Sequence, residues 1–122
     1  MVQELQNYID GKWVDALDGS RFDVFDPATG EVIATAPDSK AADAERAIDA
    51  ARRTFDEGTW WPGTPERERG RILLRAAEIV RREHERLAQM ETLDVGKPIG
   101  ESREDIAEVA FMFEYYGGWA TK

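Results

Sequence analysis

The chain has 122 residues, and its 25 acidic against 16 basic side chains give a net charge of −9, which repels nucleic-acid phosphates and anionic lipid headgroups and excludes both as expected partners. Hydrophobic residues at 42% and charged residues at 34% supply one modest core, so disorder throughout is excluded as well. With no cysteine, the chain holds no disulfide, no thiolate metal site and no cysteine nucleophile.

No apolar run approaches the roughly 20 residues that cross a bilayer, and Met1-Val2-Gln3-Glu4 lacks a basic, apolar secretory start. A cytoplasmic location is the expectation. Tyr8 to Val14 places two short apolar runs around Asp10-Gly11, a pair that accepts the positive φ angles of a type I′ turn, and this predicts a β-hairpin. Arg21–Phe25 and Val32–Ala36 flank Asp26-Pro27-Ala28-Thr29-Gly30 and predict a second one.

After Pro37 the period lengthens. Ala44, Ala47, Ile48, Ala51 and Phe55 share one face of a helix that Ser39 is expected to cap and Gly58 to end. Trp60 and Trp61 in the following connection are too apolar for an ordinary linker and are expected to pack. Thr64-Pro65-Glu66 reads as a helix start, with Ile72, Leu73, Ala76, Ala77 and Val80 as its stripe. A second set, Leu87, Met90 and Leu93, predicts another helix after a junction near 82–85. Gly96 and Pro98 stop it. Ser102 and Asp105 have capping-box spacing ahead of Ile106, Val109, Ala110 and Phe113, and Gly117-Gly118 is expected to end that last helix.

The pattern predicts an α+β chain, mainly helical, with one or two N-terminal hairpins followed by three to four helices, in a single segment 1–122 with strands over about 7–36 and helices over about 39–117. Chemical motifs are absent from it. Gly96-Lys97 resembles the end of a phosphate loop, but Pro98 stands where serine or threonine is required. Gly117-Gly118 lacks the strand and third glycine of a dinucleotide fingerprint. Glu101, Glu104, Asp105 and Glu108 read as a solvated face and not a metal cage, His84 as a solvated helix residue, and Arg67, Arg69, Arg71 and Arg75 as partners of nearby glutamates.

Several segments together carry a family resemblance. Tyr8-Ile9-Asp10-Gly11-Lys12-Trp13 resembles the first hairpin of aldehyde dehydrogenases, and Asp26-Pro27-Ala28-Thr29-Gly30 resembles their Asn-Pro-Ala-Thr-Gly turn, with Asp26 departing from asparagine. The helix holding Ala47, Ala50 and Phe55, the Arg67 to Arg75 helix, Leu87-Ala88, Glu91 to Pro98 and Glu114-Tyr115-Tyr116 follow in the family's order. The resemblance implies the N-terminal segment of an enzyme that oxidises an aldehyde to a carboxylic acid with NAD or NADP. The family's nucleophilic cysteine, general-base glutamate, oxyanion asparagine and nucleotide-binding strands belong further downstream, so catalytic and cofactor-binding residues within these 122 are expected to be none.

The resemblance also implies a monovalent cation, Na or K, held by the backbone carbonyls of Val24 and Phe25 and the Asp94 carboxylate. The alternative is that Asp94 hydrogen-bonds at its own helix end. Expected partners are the missing C-terminal part of such an enzyme or a second copy, as a homo-oligomer. The competing functional reading is a stand-alone, non-catalytic interaction module derived from the family.

Overall fold

The computed structural model describes residues 2–58, 60 and 63–122. Their contacts gather into two units, 1–63 and 64–122.

In the first unit, β2 (Asn7–Ile9) and β3 (Lys12–Val14) form an antiparallel two-stranded sheet in which Ile9 faces Lys12 across a two-residue turn. Asp10 and Gly11 occupy that turn at φ 54° and 75°, as the Asp-Gly pair predicts. The second expected hairpin is also present: β4 (Arg21–Phe25) pairs antiparallel with β5 (Val32–Pro37), with a register shift beside Val24 and Phe25. A strand that the sequence reading did not anticipate, β1 (Gln3–Glu4), lies parallel to β5 and completes a three-stranded sheet in the order β1-β5-β4. Two polar residues show no alternation, so only the neighbouring strand reveals them.

Arg21 ties this sheet together. Its guanidinium donates to the carbonyls of Leu5 and Thr35 at 2.8 and 3.0 Å, to the Thr35 hydroxyl at 3.1 Å and to Asp15 at 2.9 Å. Helix α1 (Ala41–Glu57) begins at Lys40, not through a Ser39 cap. Ser39 Oγ instead accepts from Asn7 Nδ2 at 2.8 Å. Asp43, only 3% exposed, serves the helix start: its carboxylate accepts the Lys40 amide at 3.1 Å and the Leu17 amide at 2.9 Å, joining helix to loop. Gly58 ends α1, as expected.

The second unit is three helices: α2 (Glu66–Arg82), α3 (His84–Val95) and α4 (Ile99–Trp119). The expected junction between the two middle helices falls at Glu83. Pro65, and not Thr64, occupies the position before α2, while the Thr64 carbonyl accepts from Arg69 Nη1 at 2.7 Å. Gly96 closes α3 in the left-handed conformation at φ 78°. Pro98 does not delay the next helix. It is the residue that precedes α4 directly, because a proline's missing amide is harmless at a helix start.

Two further expectations for α4 are corrected. Ser102 is fully buried inside the helix and shares a 2.8 Å hydrogen bond with Thr92 Oγ1 of α3, so it is a link between helices and not a cap. Gly117-Gly118 does not end α4, which runs through both to Trp119. The reason is packing against α2. A Cβ on Gly70 would sit 2.7 Å from the Gly117 carbonyl oxygen, and one on Gly117 would sit 3.1 Å from Leu74 Cδ2. The glycines let two backbones meet.

Polar ties fix α3 to α4. The Arg103 guanidinium grips Glu85 through two bonds of 2.9 and 2.8 Å, and with help from Gln89 it holds the Glu85 carboxyl down at about 2. His84 Nε2 donates to the Arg103 carbonyl at 2.8 Å, so this histidine is a tie and not merely a solvated residue. Lys97 bridges Glu91, at 2.7 Å, and Asp105. Expected ion pairing along α2 is seen for Arg71 with Glu68, at 3.1 Å.

Two outcomes follow. Gly70→Ala lowers stability by about 1–3 kcal/mol, the usual cost of overpacking, in a thermal melt; an unchanged midpoint contradicts the close backbone contact. Because the folded pKa of Glu85 is depressed, its stabilising contribution is present above the unfolded value of 4.5 and is lost as pH falls from there towards about 2. Glu85→Gln therefore melts earlier than the parent chain at pH 7, with the difference shrinking in that acid window; a constant difference across it contradicts the assignment.

Candidate functional site

The feature that stands out among the described residues is an exposed apolar surface. The buried hydrophobic residues among those described are Ala16, Ala34, Ala50, Ala77, Ala88 and Ala110, and every one is alanine. Bulky apolar side chains lie outside. The stripe predicted for α1 is real as a stripe but uncovered: Ala50 beside it is buried, whereas Ile48 is 65% and Phe55 51% exposed. On α4, Phe111, Tyr115 and Trp119 recur every fourth residue, and their rings stand 6.2 and 5.9 Å apart along an exposed comb. Beside it, Leu73, Val109, Met112, Phe113 and Tyr116 line an open apolar groove with Glu108 at its edge.

In the first unit a groove of about 500 Å³ lies between the β2–β3 hairpin and α1, lined by Tyr8, Ile9, Ala47, Ala50, Phe55 and Trp60 among others. Trp60 thus lines an apolar groove, as expected of it; Trp61 lies outside the described residues.

The expected cation ligands lie one set in each unit. Val24 and Phe25 flank the register shift of β4, where the ladder with β5 is interrupted. Asp94 lies in the last turn of α3, exposed, and its carboxylate makes no hydrogen bond or ion pair among the described residues. The alternative role of Asp94 as a helix-end acceptor is therefore not seen; the Gly96 amide, bonded to the Thr92 carbonyl at 2.9 Å, closes that end. Among the described residues no group of three or more His, Asp or Glu is placed to hold a metal. Among the described residues no helix is long and apolar enough to cross a membrane.

The two glycine motifs singled out in the sequence are both engaged in packing or capping. Gly96 is committed to a helix stop, and Gly117 has its open side filled by α2, so neither glycine motif offers backbone amides to a phosphate. What the sequence reading missed is the depth of Asp43 and Ser102. Ser102 was read as a cap and Asp43 was given no role, because Thr92 and Leu17, their partners, stand many positions away.

The sequence profile of the Aldehyde dehydrogenase family matches residues 13–122. The chain is 46% identical over 122 residues to Aldehyde dehydrogenase family 2 member B4, mitochondrial, of Arabidopsis thaliana, covering 99% of this chain and 22% of that protein. It is 43% identical over 115 residues to Betaine aldehyde dehydrogenase of Bacillus subtilis, covering 94% and 23%. Among solved structures, an NAD-dependent aldehyde dehydrogenase from Sinorhizobium meliloti superposes with a TM-score of 0.91 at 39% identity, covering 97% of this chain and 24% of that one. Betaine aldehyde dehydrogenase from Staphylococcus aureus in complex with NAD+ superposes with a TM-score of 0.92 at 38% identity, covering 96% and 23%. The chain spans less than a quarter of each relative's length, and with a profile match over nearly all of its residues it belongs to the aldehyde dehydrogenase family.

Proposed function

We propose that residues 1–122 form a single N-terminal segment of an NAD(P)-dependent aldehyde dehydrogenase, cytoplasmic, whose role is to cover and brace the remainder of the enzyme. The observation that carries this reading is the alanine core beneath exposed bulky faces: α1, α2 and α4 present Ile48, Phe55, Ile72, Phe111, Tyr115 and Trp119 to surfaces these residues do not supply. In the complete enzyme an aldehyde is oxidised to a carboxylic acid with NAD or NADP. Alone, the segment is inactive, because it contains no cysteine to attack the carbonyl and no phosphate-binding turn. Purified chain incubated with aldehydes and NAD or NADP is expected to give no NAD(P)H formation above a heat-killed control; sustained turnover that copurifies with the chain overturns the reading.

The Val24 and Phe25 carbonyls and the Asp94 carboxylate are proposed as ligands of one Na or K ion. The interrupted ladder and the unengaged carboxylate support this assignment, since hard cations favour oxygen ligands. In the complete enzyme, Asp94→Ala is expected to abolish the rise in melting temperature produced by adding Na or K ions; an undiminished rise contradicts the site.

A second reading, a self-associating interaction module, is favoured by the same uncovered stripes. It predicts concentration-dependent sedimentation and apolar-dye binding by the isolated chain. A compact monomer at micromolar concentration that binds no dye contradicts it.

A further inference from the structure

Two Asp-Gly steps occur in the chain, at Asp10-Gly11 and Asp18-Gly19, and the structure treats them differently. In an aspartyl-glycyl sequence the glycine amide can attack the aspartate side-chain carbonyl, since glycine has no side chain to obstruct the approach. Asp18 and Gly19 are both occupied. The Ser20 amide and hydroxyl donate to Asp18 Oδ1 at 2.8 and 2.6 Å, and the Gly19 amide donates to the Ala16 carbonyl at 2.9 Å. The same Ser20 bonds hold the Asp18 carboxyl below its usual range, which keeps it as the less electrophilic carboxylate.

At the hairpin tip the restraint is weaker. Among the described residues the Gly11 amide donates to no backbone acceptor, and Asp10 is held by one exposed ion pair, to Arg53 at 3.0 Å, through side chains that are 56% and 51% exposed. The tip also closes a separate two-stranded sheet of three residues a side, which opens locally far more readily than the three-stranded sheet next to it.

We propose that Asp10-Gly11 is a site of spontaneous isoaspartate formation, selected over Asp18-Gly19 by the free amide and the short hairpin. Gly11 N bonds to Asp10 Cγ, a Cγ–O bond breaks, and the departing oxygen leaves as water with the amide proton and the carboxyl proton, giving a cyclic succinimide. Water then adds to either ring carbonyl. Opening at the main-chain carbonyl leaves Gly11 joined through the former side chain, with no oxidant or reductant involved.

The product has consequences for the fold. One extra carbon enters a turn that must be two residues long to keep Ile9 opposite Lys12, and the new carboxylate no longer sits where Arg53 meets Asp10. The hairpin loses its register and its tie to α1.

Incubate the intact chain at neutral pH and physiological temperature, digest with trypsin, separate the peptides, and only then label isoaspartate in each with a protein-isoaspartyl methyltransferase and radioactive S-adenosylmethionine, reading the label at acidic pH where the methyl ester survives. Cleavage after Lys12 and Arg21 separates the two steps. Label is expected to accumulate in peptide 1–12, to be lost from it in Asp10→Glu, and to appear in both peptides when the incubation is done in urea. Label confined to peptide 13–21, label in 1–12 that survives Asp10→Glu, or label in neither peptide of the folded chain overturns the proposal.

Discussion

Contact between α2 and α4 at Gly70 and Gly117 sets the geometry of the helical unit, because it brings two backbones closer than any side chain permits. Small residues dominate the buried positions of these two helices: Gly70 and Ala77 on α2, and Ser102, Ala110 and Gly117 on α4. Each buried methyl contributes only about 0.8 kcal/mol, so the interior of the segment is shallow. The bulky residues that would make a deep core are displaced to the opposite faces. There they are an asset only if another part of a larger protein lies over them.

Polar links substitute for part of the missing core. Arg103 to Glu85, Ser102 to Thr92, and Lys97 to Glu91 and Asp105 hold α3 and α4 in place at several heights. In the first unit Arg21 joins three strands and their loops, and the buried Asp43 joins α1 to the loop at Leu17. Such bonds are directional. They fix the orientation of each helix and hence the faces it offers, which is what a covering segment must do.

Elements whose signal is local were legible in the sequence. The Asp-Gly turn, the two hairpins, the break at Glu83 and the Gly96 stop each depend on a few adjacent residues, and each stands where those residues place it. Errors arose where a residue's role depends on a distant partner. Ser102 and Gly117 carry the chemistry of a cap and of a helix end, yet Thr92 and Gly70 give them other work. Strand β1 was invisible because its only qualification is the edge of β5. Periodicity located the apolar stripes but said nothing of whether they are covered. The proposed cation site rests on the family likeness, since carbonyl ligands leave no side-chain signature.

The claim beneath this account is that the segment buries little apolar surface by itself. Scanning calorimetry of the isolated chain reads that quantity through the heat-capacity change of unfolding, to which exposed apolar area is the dominant positive contributor. A self-sufficient domain of this length gives about 1.5–1.8 kcal/mol/K. The account predicts a value well below that range; a value within it, from a monomer, contradicts the account.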